Sequence, residues 1–390
     1  MSAPQIPNLL SLRGRGGGGL RGRGGAGAGG GRSRGGFASP AASHDATIQG
    51  TDTDASVSRL SAVDLGYLQD PFAQYFVQNG PPVRRLPIIN RGTYTRTTAL
   101  DRLVSSFLAG DGTGGEEKKK KERQIISLGA GTDTRPFRLF SQPGAARDVI
   151  YHEVDFPAIA AKKRTTVQSV PALRSIIPVA AAGASAEPSL SEDSSSWRSE
   201  PLPNGSSYYC HGLDLRDLAL AASAAAADPE QHQQPPKVLL DGVRPDVPTL
   251  LISECCLCYL ETAQARAVIS HFAALVPDLA VVVYEPVRPS DPFGQQMVSN
   301  LAARRIRMPT LEAYREVADQ RARLEQAGFA GGARALTVQD VWARWVPPED
   351  KEAVDDLEGL DEVEEWELLA SHYVVAWGWR GRGFEGWKEI

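Results

Sequence analysis

No apolar run in this 390-residue chain approaches the roughly 18 residues that a membrane-spanning helix requires, so no membrane span is expected. The start of the chain also lacks the apolar stretch of a secretory signal. Excess positive charge is missing: 42 Lys and Arg stand against 47 Asp and Glu, a net charge of −5. Phosphate binding needs a basic face, so the globular part is not a nucleic-acid binder by charge. Cysteine is scarce, and three of the four residues crowd into positions 255–258. Neighbours that close cannot staple distant loops, which points to a reducing compartment, here the cytoplasm, without structural disulfides. A zinc site is not expected either. Cys255 and Cys258 form a CxxC, but Cys210 is the only Cys outside that run and the six His form no pair at ligand spacing. These cysteines read as small buried hydrophobes.

What is present divides the chain. Residues 1–51 read as a tail without fixed structure. Its segment 13–36 alternates Gly with six Arg and has nothing to bury. An RNA contact through that segment is the rival to a tail of no fixed role, and it lacks an aromatic until Phe37. Residues 52–390 read as one domain, with a helical cap over 52–110. Leu65, Leu68, Phe72, Tyr75 and Phe76 follow a helical period that Pro71 interrupts. Leu100, Leu103, Val104 and Phe107 mark a second amphipathic helix. A solvated linker with four Lys follows, and residues 179–207, rich in Ala, Ser, Glu and Pro, read as a surface insertion. Seven apolar runs, at 124–131, 149–156, 208–215, 249–260, 279–287, 335–338 and 372–379, read as strands between helices. The pattern predicts an α/β fold: a mainly parallel, Rossmann-like sheet covered by helices on both faces.

Ligands of such sheets bind beyond the carboxyl ends of the strands. Four of those ends carry a distinctive residue. Gly129 and Gly131 allow a tight turn and close backbone approach, which suits a dinucleotide fold, a methyltransferase fold or a plain strand-to-helix turn. The third Gly of the dinucleotide fingerprint is replaced by Thr134, which disfavours a pyrophosphate. Asp155, about 24 residues after that turn, suits the two hydroxyls of a ribose better than a helix cap. Glu153, one pleat earlier on the same face, competes with it. Asp214 can accept from an exocyclic amine of a purine that Leu215 covers, although helix capping alone would explain it. Glu254 interrupts a strongly apolar run. A buried acid there needs a positive partner, and a ligand amine would serve. Glu261 reads as an exposed helix start. Arg91 and Arg96 precede an amphipathic helix, and either guanidinium could fork a carboxylate.

The segments DASVSRLSAVDLGYLQDPF, INRGTYTRTTALDRL, ISLGAGTDTRPFRL, HEVDFP, DLRDL, PTLLISECCLCYL, YEPVRPSDPFGQQMVSNL and HYVVAWG together resemble the leucine carboxyl methyltransferases, in the family's order, over about residues 52–380. The resemblance implies an S-adenosylmethionine-dependent methyltransferase fold with a helical cap. It also implies methylation of the C-terminal leucine carboxylate of the protein phosphatase type 2A catalytic subunit. By the same resemblance Arg59, Arg96, Gly129, Asp155, Asp214, Leu215 and Glu254 would bind the cofactor. Arg96 would hold its carboxylate, Glu254 would sit near its methionine moiety, and Tyr259 would lie near the reaction centre. Arg59 stands where the family usually has Lys; it keeps the charge but is planar and wider. A related branch joins such a domain to a β-propeller and acts in modified-tRNA synthesis, and this chain shows no propeller repeats. The alternative is an O-methyltransferase for RNA or a small molecule with the same cofactor site. A carboxylate with a pKa near 4 is already ionised at neutral pH, so no general base is needed and no triad is visible. Orientation by Arg96 and Tyr259 is the expected contribution to rate. A monomer is expected.

Overall fold

The structure, a computed structural model, describes residues 40–77, 83–109, 122–142, 147–180, 195–227, 240–361 and 363–390. The Gly/Arg-rich segment, the Lys-bearing linker 110–121 and residues 181–194 of the expected insertion lie outside them.

Apolar runs rich in Ile, Val and Tyr form the centre of one eight-stranded sheet. Its strands are β1 (Arg123–Leu128), β2 (Val149–Asp155), β3 (Trp197–Arg198), β4 (Ser207–Gly212), β5 (Thr249–Glu254), β6 (Leu279–Pro286), β7 (Gly332–Thr337) and β8 (Tyr373–Arg380), in the order β3-β4-β2-β1-β5-β6-β8-β7. The five central strands are mutually parallel, while β3 and β8 run against their neighbours. The sheet is thus mainly parallel, as the alternation of strands and helices predicts. The seven expected strands are present, and β3 is an eighth. It lies in the flank of the expected insertion and pairs Trp197 with Cys210 and Arg198 with Tyr209. Two residues are too short a run to show a period of two.

Pleating divides neighbouring residues between two cores. Ile125, Leu250, Ile252 and Val282 face one layer. That layer includes α2 (Pro87–Ala109), α3 (Arg135–Ser141), α4 (Pro157–Ser169), the short α5 (Pro171–Arg174), α8 (Pro292–Ala303), α9 (Pro309–Ala313), α11 (Val338–Trp345) and α13 (Val363–Ser371). Ile126, Leu251, Val281 and Val283 face the other, with α6 (Leu215–Ala227), α7 (Thr262–Leu275) and α10 (Val317–Gln326). Leu250 and Leu251 are both fully buried, and truncating either to Ala would cost about 2–5 kcal/mol. Pro87, Pro157 and Pro292 are the first residues of α2, α4 and α8, where a missing N–H leaves nothing unsatisfied. Among the described residues no helix is long and apolar enough to cross a membrane.

The cap differs from its expectation at two places. The helix α1 (Pro40–Asp64) begins twelve residues before position 52, so part of the segment read as tail is helical. The run after Asp64 is not a helix. Gly66, at φ 90°, ends α1, with Tyr67 N–H bonded to the Ala62 carbonyl, and only Ala73–Phe76 forms a single 3-10 turn. In α2 the expected stripe of Leu100, Leu103, Val104 and Phe107 is buried. In a separate small cluster Val354 of α12 (Pro348–Leu357) packs with Ala62 and Tyr67, and the Leu357 side chain lies against Gly66.

Candidate active site

The parallel strands β1, β2, β4 and β5 end at one edge of the sheet, and α1 crosses above it. Between them lies a cavity of 580 Å³. Arg59, Arg96, Gly129, Asp155, Asp214, Leu215, Glu254 and Tyr259 all line it. Sequence positions up to 200 residues apart are therefore brought to one wall.

After β1 the chain turns through Gly129 (φ 62°) and Gly131 (φ 49°), a left-handed conformation that side chains disfavour. A Cβ on Gly129 would lie 2.6 Å from Cys256 Cβ and Sγ. The turn thus packs directly on the residues that follow β5. Asp155 ends β2 and braces the same turn: its Oδ2 accepts from Gly131 N–H and its Oδ1 from Phe156 N–H, both at 2.7 Å. The N-cap of α4 is Phe156 and not Asp155. Burial pushes the Asp155 carboxyl up to about 6; the two backbone N–H groups pull it down, and Asp52 of α1 adds to the rise. Glu153 is a different kind of acid. It is buried among the core residues, paired with Lys163 at 2.5 Å and receiving the Tyr208 hydroxyl. Only Asp155, at the strand end, reaches the cavity.

Asp214 precedes α6 and accepts from Arg216 N–H at 2.8 Å, so it does cap that helix. Its other partner is the Arg216 guanidinium, which also binds both oxygens of Asp45 on α1, at 3.0 and 2.8 Å. Leu215 lies beside it, 8% exposed.

Glu254 has the positive partner that its position required, and the protein supplies it. Its Oε1 accepts from Arg96 Nε, and its Oε2 lies 3.3 Å from Arg135 Nη2. Arg96 is held from α2, and its guanidinium stacks 4.6 Å above the Tyr284 ring. Burial opposes the Arg96 charge, but Glu254 outweighs it and keeps the pKa above the ordinary value. Arg91, one candidate for the same clamp, turns away from the cavity to Asp355 and the Trp342 ring. Arg59 extends from α1 to Asp70 at 2.5 Å, with Thr97 at 3.4 Å.

Past β5, Cys255 adopts φ 51° and the chain makes a 3-10 turn over Leu257–Tyr259. Cys258 is fully buried, whereas Cys255 and Cys256 reach the cavity wall. Tyr259 is 9% exposed, and its hydroxyl lies toward the Thr51 side chain without a hydrogen bond of ordinary geometry among the described residues. Burial pushes its pKa well up, so it remains a donor at any ordinary pH. Glu261 is the N-cap of α7, in a reciprocal capping box with Gln264.

Residues 47–273 match the leucine carboxyl methyltransferase family. Over all of its length the chain is 48% identical to leucine carboxyl methyltransferase 1 of Aspergillus fumigatus, of which the alignment covers 98%, and 47% identical to that of Emericella nidulans, also covered to 98%. This chain belongs to the leucine carboxyl methyltransferase family. It is also 33% identical, over 86% of its length, to human tRNA wybutosine-synthesizing protein 4, of which the match covers 44%. Family membership makes it an S-adenosylmethionine-dependent methyltransferase.

The cavity suits that cofactor on its own chemistry. Adjacent Arg96 and Glu254 complement an α-amino acid, which carries a carboxylate and an ammonium. The buried Tyr259 hydroxyl is a donor in want of an acceptor. Sequence reasoning missed two contributors. Arg135, 3% exposed in its side chain, braces Glu254 and Asp133 from below; its signal was a charged residue within GTDTRP that no surface helix explains. The start of α1 supplies Asp45, Ile48 and Asp52 to the wall, and Asp52 accepts from Thr132 N–H at 2.7 Å. In residues 40–51 only Ile48 is a large aliphatic, so no period marks that helix.

Proposed function

We propose that the protein methylates the C-terminal leucine carboxylate of the protein phosphatase type 2A catalytic subunit, in the cytoplasm. The reading rests on one observation: a full-length match to leucine carboxyl methyltransferase 1 proteins coincides with a cavity in which all eight candidate residues meet.

In this reading the Arg96–Glu254 pair opens to receive the amino-acid end of the cofactor, Arg96 taking its carboxylate and Glu254 its ammonium. Arg135 stays beside Glu254 and keeps that acid oriented. Asp155 accepts from the ribose, Asp214 and Leu215 hold the adenine edge and face, and the Gly129 turn lets the backbone come close. Arg59 supplies charge from α1. When bound, the cofactor supplies a methyl group made electrophilic by a sulfonium.

The acceptor is a carboxylate that is ionised at neutral pH, so no side chain has to remove a proton. The residues have to align it and exclude water. Holding a near-attack geometry can lower a barrier by up to about 7–11 kcal/mol. Tyr259 is placed to donate to the acceptor from a dry wall, where a hydrogen bond to a charged group is worth about 1.5–3 kcal/mol.

The test is transfer of radiolabelled methyl from S-adenosylmethionine to the phosphatase catalytic subunit, beside a version lacking its terminal leucine. Label on the intact subunit alone is the expected result. Label on transfer RNA instead would move the assignment to RNA O-methylation.

A further inference from the structure

Seven carboxylates line the cavity: Asp45, Asp52, Asp133, Asp155, Asp214, Glu254 and Glu261. Four arginines face them: Arg59, Arg96, Arg216 and Arg307. Three of the four are committed. Arg59 is held by Asp70, Arg96 by Glu254, and Arg216 by Asp45 and Asp214. Arg307 is exposed and forms no ion pair among the described residues. An anionic acceptor entering this cavity meets an excess of negative wall. It needs a cation that no protein acid already holds.

The backbone holds Arg307 in place. Ile306 and Met308 on either side are 2% and 7% exposed, so the residue between them is turned outward. Before it, α8 closes with Arg305 N–H on the Ala302 carbonyl and Ile306 N–H on the Leu301 carbonyl, at 2.8 and 3.0 Å. Arg304 is tied to Asp54 of α1. After it, buried Thr310 donates to Glu285 at 3.2 Å. The short α9 that follows packs on the 3-10 turn carrying Tyr259. Arg307 is thus fixed at its backbone and lines the cavity without an ion pair among the described residues, and the helix that follows it packs on the turn carrying Tyr259.

Resting on the reading of a carboxylate acceptor, we infer that Arg307 is the residue that recognises the acceptor's terminal carboxylate. A guanidinium that donates to one carboxylate oxygen leaves a lone pair on the other for attack on the methyl group. That oxygen gains the carbon, the carbon–sulfur bond breaks, and sulfur keeps the electron pair. The negative acceptor becomes a neutral ester. Arg307 then has no anion to hold, which favours release of the product.

The experiment compares the full chain with Arg307→Gln and Arg307→Lys, using the phosphatase catalytic subunit as acceptor. Three quantities are read: the acceptor KM with kcat, the inhibition constant of the methyl-esterified subunit, and the cofactor Kd by calorimetry. Arg307→Gln should raise the acceptor KM at least tenfold and flatten its dependence on ionic strength. Inhibition by the uncharged ester and the cofactor Kd should stay within twofold of wild type. Arg307→Lys should recover part of the loss, because it keeps the charge but not the planar guanidinium. An unchanged acceptor KM in Arg307→Gln, or an equal rise for acceptor and ester, would overturn the inference while leaving the carboxyl methylation standing. Absence of methylation by the wild-type chain would instead sink the carboxyl reading, and this inference with it.

Discussion

Replacing Asp155 by Asn separates stability from cofactor binding, because the structure assigns the two opposite signs. Burial and the nearby Asp52 raise the carboxyl from 3.8 to about 6 in the folded protein. A folded pKa above the unfolded one means that the native state binds more protons between those values, so the acid stabilises the fold when protonated and works against it when ionised. Above pH 6 that unfavourable contribution is complete, and the rise corresponds to roughly 3 kcal/mol. Asn removes it. Asn also keeps only one of the two acceptors that serve Gly131 and Phe156 N–H, which costs about 1–3 kcal/mol. The balance at pH 8, without cofactor, is a stabilisation of about 1 kcal/mol, or roughly 2–4 °C in Tm. Cofactor binding moves the other way. Ribose hydroxyls donate to a carboxylate more strongly than to an amide, so S-adenosylmethionine should bind about 10–100-fold more weakly. In the wild type the same linkage weakens binding as pH falls below about 6. Thermal melts and calorimetry at pH 8 decide the matter. A lower Tm for Asp155→Asn, or a cofactor Kd within threefold of wild type, would refute the reasoning.

Glu254→Gln leaves Arg96 and Arg135 without their shared acid and should weaken cofactor binding more than tenfold; a smaller loss in calorimetry would make Glu254 a bracing residue only. Gly129→Ala places a Cβ 2.6 Å from Cys256 at a left-handed φ, and urea denaturation should show a loss of about 2–4 kcal/mol. Adding Cys256→Gly should restore part of it, and no restoration would deny the clash. Tyr259→Phe removes a buried hydroxyl without a hydrogen bond of ordinary geometry among the described residues, so Tm should hold or rise while turnover falls about tenfold. Unchanged turnover would take Tyr259 out of the reaction.

The sheet was legible because a buried strand reads as a continuous apolar run, most plainly in the five central parallel strands, and seven apolar runs stand between helical patterns. The site was legible for a related reason. An acid that ends an apolar run, as Asp155 and Glu254 do, is costly there unless something uses it. What stayed hidden was hidden by physics of another kind. The start of α1 has no apolar stripe and is held by long-range polar contacts, Asp45 to Arg216 and Asp52 to Thr132 N–H, that no local pattern encodes. The expected helix after Asp64 failed because a positive-φ glycine two residues on decides the chain direction more strongly than the apolar period. Glu153 and Asp155 could not be told apart by pleat alone. Position along β2 separates them: one lies among core residues with Lys163, the other at the end.

The partners of the strand-end acids explain why the cap matters to chemistry. Glu254 and Asp214 are each already matched by an arginine, and Arg216 links Asp214 to Asp45 on α1. At Glu254 and Asp214 a ligand therefore exchanges partners with the protein and does not fill uncompensated charge. Exchange of that kind favours a zwitterion over an ion of one sign. A zwitterion can satisfy both halves of the Arg96–Glu254 pair at once, while a simple anion or cation would strand one of them at a cost of several kcal/mol. The same logic makes α1 part of the binding equilibrium. Moving Asp45 would free Arg216 and change what Asp214 can accept. The wall of the cavity thus includes a helix whose first residues carry almost no sequence signal, and under the proposed cofactor placement that helix would share in selectivity.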